Sequence, residues 1–107
     1  MPMINIEYDN EKVKEKEIIQ LSEVIQKIVS KSTNIEDVFV YANSSKIKIK
    51  VAPIEIFIQM SSPKIQNREE LIKKIKTELQ NWKKKSSFKH KINLTLIPMD
   101  WNIEIGI

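Results

Sequence analysis

Two stretches of the chain follow one plan, and that repetition limits the fold more than any single residue does. The first begins at Pro2-Met3-Ile4-Asn5-Ile6 and ends with Ile47-Lys48-Ile49-Lys50-Val51; the second begins at Pro53-Ile54-Glu55-Ile56 and ends with Ile103-Glu104-Ile105-Gly106-Ile107. Each reads as strand, helix, strand, turn and short alternating strand. From the opening proline to the first residue of the strand after the helix is 36 positions in one half (Val38) and 39 in the other (Ile92). Such near-equal spacing marks an internal repeat. A β-α-β unit crosses over right-handed, so two of them in one sheet give two parallel strand pairs with both helices on one face. The expected architecture is α/β (α+β): a four-stranded mixed sheet, two helices on one side, and short edge strands, in one domain of residues 1–107 with halves 1–51 and 52–107.

The periods support each element. Ile4, Ile6 and Tyr8 alternate with Asn5 and Glu7, as in a half-buried strand. Asp9-Asn10 offers an N-cap, and from Glu11 to about Lys31 the period changes: Ile18, Leu21, Ile25 and Ile28 fall on one helical face, widened by Val24. Val38-Phe39-Val40-Tyr41 reads as a strand. Ile54-Glu55-Ile56-Phe57-Ile58-Gln59-Met60 alternates strictly. Asn67, with Glu70 three residues on, forms a capping-box pattern ahead of Leu71, Ile75, Leu79 and Trp82, and Ile92 to Ile97 forms a further strand. In Lys46-Ile47-Lys48-Ile49-Lys50-Val51 the lysines are expected on the outer face of an edge strand, a common defence against strand-to-strand aggregation.

Composition removes several functions. The 107 residues include no cysteine and one histidine, His90, which leaves no disulfide framework, no thiolate nucleophile and no zinc ligand set; no metal and no cofactor are expected. Gly106 is the single glycine, so neither a P-loop nor a dinucleotide fingerprint can be drawn. The net charge of +4 comes from 18 basic residues of which only Arg68 is arginine. Base readout favours the arginine fork, and single-strand binding wants aromatics interleaved with basic residues; no nucleic-acid partner is expected. No basic-then-apolar leader opens the sequence and no apolar run approaches the roughly 20 residues of a membrane span, so the expected setting is cytoplasmic, away from membranes.

The sheet face without helices should carry Met3, Asn5 and Glu7; Phe39 and Tyr41; Glu55, Phe57 and Gln59; and Asn93, Thr95 and Ile97. A purely solvated face needs no Phe39, Tyr41 or Phe57, whereas an oligomer closing several sheets around a partly wet centre uses both kinds.

The opening Met1-Pro2-Met3-Ile4, the doubled plan and the length together resemble the tautomerase superfamily, in particular its full-length members like macrophage migration inhibitory factor and, more distantly, those like 4-oxalocrotonate tautomerase. The resemblance implies removal of Met1, a homotrimer, and Pro2 as general base in the tautomerisation of a small keto/enol acid. It also implies a cation for the substrate carboxylate, Lys31 or Lys46, and a pocket shaped by Phe39. Val38-Phe39-Val40 stands where the short tautomerases place an arginine. Independently of family, a freed Pro2 is a secondary amine with a usable lone pair, while Pro53 is always an amide. Burial lowers the pKa of such an amine towards the working pH, as proton abstraction beside a carbonyl requires. Two other readings fit the pattern: a tautomerase-fold protein serving as a binding or assembly unit without catalysis, and a ferredoxin-like module for a small ligand or RNA.

Overall fold

A computed structural model describes residues 2–107. Its elements are β1 (Met3–Tyr8), α1 (Glu15–Thr33), β2 (Phe39–Asn43), β3 (Ile54–Ser61), a single 3-10 turn (Ser62–Lys64), α2 (Arg68–Ser86) and β4 (Asn93–Met99). The four strands form one sheet in the order β2-β1-β3-β4. β1 runs parallel to β2 and β3 parallel to β4, and the two halves meet along an antiparallel β1–β3 seam in which Met3 faces Gln59 and Tyr8 faces Ile54.

Period 2 decides which side chains meet the helices. Ile4, Ile6, Ile54, Ile56 and Ile58 are fully buried, and they pack in one cluster with Leu21, Ile25 and Val29 of α1 and Ile75 and Leu79 of α2. The opposite face carries the mixed set expected from the alternation: the rows Met3–Phe39–Gln59, Asn5–Tyr41–Phe57 and Glu7–Asn43–Glu55 continue into Ile97, Thr95 and Asn93 of β4. Phe39 and Tyr41 remain exposed there.

Three details correct the sequence reading. First, α1 starts at Glu15 rather than Glu11, and Asp9 does not cap it. Asp9 closes a turn instead: its carbonyl accepts from the N–H groups of Lys12 and Val13, and its carboxylate accepts from Glu11 N–H at 3.1 Å. This turn buries Val13. Lys14 is the N-cap residue of α1, and its N–H donates to Glu17 Oε1 at 3.0 Å. Asn67 caps α2 as expected, accepting from Glu70 N–H at 3.1 Å.

Second, neither 46–51 nor 103–107 forms a strand, so the short edge strands are absent among the described residues. An alternating segment becomes a strand only when an edge pairs with it, and neither segment has one here. Third, the alternation of 46–51 is turned over. Ile47 and Ile49 are 86 % and 99 % exposed, while the Lys48 side chain is only 16 % exposed. The lysines are therefore not a uniform outward stripe: Lys48 points back into the protein, and the isoleucines face out.

Candidate functional site

Pro2 stands at the start of β1, one of the two central strands. It is less than 2 % exposed, and its carbonyl accepts from Phe39 N–H at 3.2 Å. By alternation its ring lies on the helix side with Ile4 and Ile6. Stepping the β1–β3 register back from Met3–Gln59 sets Pro2 opposite Met60, itself buried. α1 runs back along β1, so its last turn arrives at this same end of the sheet, as do the 3-10 turn after β3 and the first turn of α2. Ser62 Oγ donates to Met99 O at 3.2 Å and ties that 3-10 turn to the end of β4. Met1, whose removal would free the Pro2 nitrogen, lies outside the described residues.

The other expected site residues fall in three places. Phe39 opens β2 directly beside Pro2, with its side chain on the open face level with Met3. Lys31 lies in the last turn of α1, at the Pro2 end, and lines a cleft between the helices with Lys74 and Glu78. Lys46 follows β2 at the opposite end of the sheet. β2 runs from Phe39 to that end over five residues, about 13 Å from Phe39 to Asn43 at the rise of an extended chain. The fold thus brings Pro2 and Phe39 together, sets Lys31 at the same end on the helix side, and holds Lys46 away.

That far end is organised by charge. Lys48 Nζ donates to Asp9 Oδ1 at 3.0 Å and to Asn10 Oδ1 at 2.7 Å. The Lys48 bond, then the Glu11 N–H, hold the Asp9 carboxyl below its ordinary value of 3.8 against the opposing effect of burial. Asp9 N–H donates to Pro53 O at 3.0 Å, so one residue ties the β1–α1 turn to the start of β3 and fastens the 46–51 segment. Sequence reading missed this pairing because its partners are 39 residues apart and lie in no shared periodic element. A cavity of about 410 Å³ lies beside it, with Glu7, Glu55 and Phe57 on the sheet side and Lys50 on the segment.

His90 acts structurally. Its Nε2 lies 3.0 Å from Glu17 Oε2, and its ring meets Phe88 edge-on at 5.2 Å, docking the α2–β4 connection on the first turn of α1. Glu17 sits below the ordinary carboxylate value chiefly because Lys14 N–H donates to it, with His90 adding to the effect against burial. Among the described residues, no group of three His, Cys, Asp or Glu is placed to hold a metal ion, and no helix is long and apolar enough to cross a membrane.

No protein-family model matches the sequence, and neither does any curated protein. Solved structures match over nearly the whole chain. A domain of unknown function from Sebaldella termitidis aligns at 10 % identity with a TM-score of 0.69, covering 100 % of this chain and 98 % of its own. Malonate semialdehyde decarboxylase aligns at 9 % identity and a TM-score of 0.67, covering 98 % and 92 %. A fused 4-OT wild-type asymmetric trimer aligns at 8 % identity and a TM-score of 0.65, covering 94 % and 91 %. The doubled β-α-β sheet with its paired helices is the fold this chain shares with malonate semialdehyde decarboxylase and the fused 4-OT trimer.

Proposed function

We propose that the protein is a keto/enol tautomerase of small acids that works as a homotrimer, with Pro2 as general base once Met1 is removed. The observation that carries this reading is the position of Pro2: a proline beginning a central strand, buried, with its backbone fixed by Phe39 N–H. In ketonisation of an enol acid the base takes the enol O–H proton, and the prolinium returns a proton to the carbon. Atoms balance without a further reactant. A desolvated amine loses more of its charged form than a solvated one, so its pKa falls towards neutrality, where a general base works best.

Assembly follows from what the single chain leaves unpaired. Each copy carries two alternating segments without a strand partner, 46–51 and 103–107, and two free sheet edges, the outer sides of β2 and β4. Ile47, Ile49, Ile105 and Ile107 are exposed. A closed ring in which segments of one copy add to edges of the next satisfies both needs and removes every free edge. The fused 4-OT neighbour is itself described as a trimer.

The burial of Pro2 also favours a second reading, in which the fold serves binding or assembly and the nitrogen is never reached by substrate. Three forms of the protein separate the two: processed wild type, Pro2→Ala, and a form with one residue added before Pro2. With the enol of phenylpyruvate as substrate, wild type should turn over, Pro2→Ala should lose about 10²–10⁴-fold, and the extended form should be inactive because its nitrogen is an amide. Equal rates in all three would establish the second reading. Light scattering should give about three times the chain mass of 12.6 kDa; a monomer at micromolar concentration would contradict the trimer.

A further inference from the structure

An alternating segment has two ways to lie against its own chain, and the one found at 46–51 is the less favourable for a lone copy. Turned one way, the lysines meet water and the aliphatic side chains are covered; turned the other, Ile47 and Ile49 are left in water, as they are here at 86 % and 99 % exposure. We propose that the pair Asp9–Lys48 imposes this orientation, that the isoleucine face it turns out is the surface a second copy covers, and that the pair thereby governs assembly. The proposal rests on the trimer reading and adds what controls it.

Lys48 is placed for that role. Its ammonium has three protons to donate, and three oxygens surround it: Asp9 Oδ1 at 3.0 Å, Asn10 Oδ1 at 2.7 Å and Ser44 Oγ at 3.4 Å. The Lys48 and Asp9 side chains are only 16 % and 8 % exposed, so their attraction is screened less than that between surface charges. The acceptors belong to a turn that is built without the segment. Asp9 accepts from the N–H groups of Glu11, Lys12 and Val13 and donates its own to Pro53 O, and Ser44 Oγ accepts from Asn10 N–H at 3.3 Å. The anchor is in place whether or not Lys48 reaches it.

The segment, by contrast, has no other polar tie. Among the described residues, no backbone hydrogen bond and no side chain other than Lys48 fastens 46–51. Its N–H and C=O groups are therefore unpaired, which is the state in which an extended chain adds to a free sheet edge. The same chain supplies such edges at the outer sides of β2 and β4. Along β2, half-buried Val40 and the α1 residues Ser22 and Gln26 line a groove of about 340 Å³. The chain's own isoleucines do not fill it, because Lys48 anchors them beyond the other end of β2, at Asp9. A second copy is thus the occupant that answers both needs, segment to edge. Lys46 and Lys50 flank Lys48 and make no hydrogen bond or ion pair among the described residues, so they provide an internal comparison.

Sedimentation of the full chain over a dilution series tests the proposal. Lys48→Met keeps most of the side-chain length and drops the charge, at a position outside every helix and strand. Its circular dichroism should match wild type, while amide exchange in 46–51 quickens. Assembly should weaken about tenfold for each copy, the scale of a charge-assisted hydrogen bond, and so about a thousandfold in the dissociation constant of a trimer. Lys48→Arg should recover most of this loss. Asp9→Asn removes the charge from the other side while its Oδ1 can still accept Glu11 N–H, and should act in the same direction as Lys48→Met. Lys46→Met and Lys50→Met take the same charge from the same segment without touching Asp9, and should assemble like wild type. A trimer unchanged by Lys48→Met, or weakened equally by all three methionine variants, overturns the role of the pair and leaves the trimer standing. A wild type that stays monomeric throughout the series overturns the trimer reading and this proposal together.

Discussion

Both halves begin with a proline ahead of a strand, and the two prolines show where copies of one plan diverge. Pro2, ahead of β1, is fully buried; Pro53, ahead of β3, is half-buried, and its carbonyl accepts from Asp9 N–H. The helices differ in the same sense. α1 buries Ile18, Leu21, Ile25, Ile28 and Val29, whereas α2 buries only Ile75 and Leu79 and carries a more charged surface. The repeat thus fixes the sheet, while the first half supplies the larger share of the buried core. The second half contributes its turn and helix start to the shared end. In the function proposed above, the two copies are not equivalent, and only the one that begins at Pro2 supplies a base.

The strongest contrast is in the core. Leu21→Ala removes a fully buried side chain from α1 and should cost about 2–5 kcal/mol. Leu79→Ala, at a site 5 % exposed on the thinner helix, should fall at or below the low end of that range. Urea unfolding of the two variants checks this, and equal losses would break the asymmetry between the halves.

A smaller effect separates the helix starts. Asn67→Ala removes the side chain that accepts Glu70 N–H and should cost about 1 kcal/mol. Lys14→Ala at the head of α1 should cost only tenths of that, since Lys14 contributes its backbone N–H to Glu17 and not a capping side chain. Thermal melts would show the difference, and a Lys14→Ala loss as large as that of Asn67→Ala would contradict it.

The two ends of the sheet should respond differently to acid. Because the Asp9 carboxyl lies below its ordinary value of 3.8 when folded, its contribution is complete above that value and is lost as pH falls through the lower folded value. Asp9→Asn should flatten this part of the acid unfolding curve and loosen the 46–51 segment, read as faster amide exchange there. The exchange of β1 residues next to Pro2 should change least. An acid limb unaltered by Asp9→Asn would mean that the Lys48 contact contributes nothing to stability.

Much of this could be read from the residues because period and cap chemistry are local. Alternation at Ile4–Ile6 and Ile54–Met60, helical spacing at Ile18–Ile28, and Asn67 with Glu70 each lie within a few positions of one another. Even the membership of the open sheet face followed from alternation. Reading failed where a partner is distant. Alternation in Lys46–Val51 reveals that there are two faces but not which one meets water; that depended on Asp9, far away in sequence. The same segment has no strand partner among the described residues, and alternation alone carries no signal of whether an edge is there to pair with it.

Nitrogen-15 labelling of the four prolines and an NMR pH titration of the processed protein reach the Pro2 nitrogen directly. Pro2 should give one titrating amine, with a pKa below the value of about 8 ordinary for a free α-amino group, while Pro53, Pro63 and Pro98 stay silent. A Pro2 nitrogen that does not titrate, or that titrates at or above that ordinary value, would contradict its role as a buried general base.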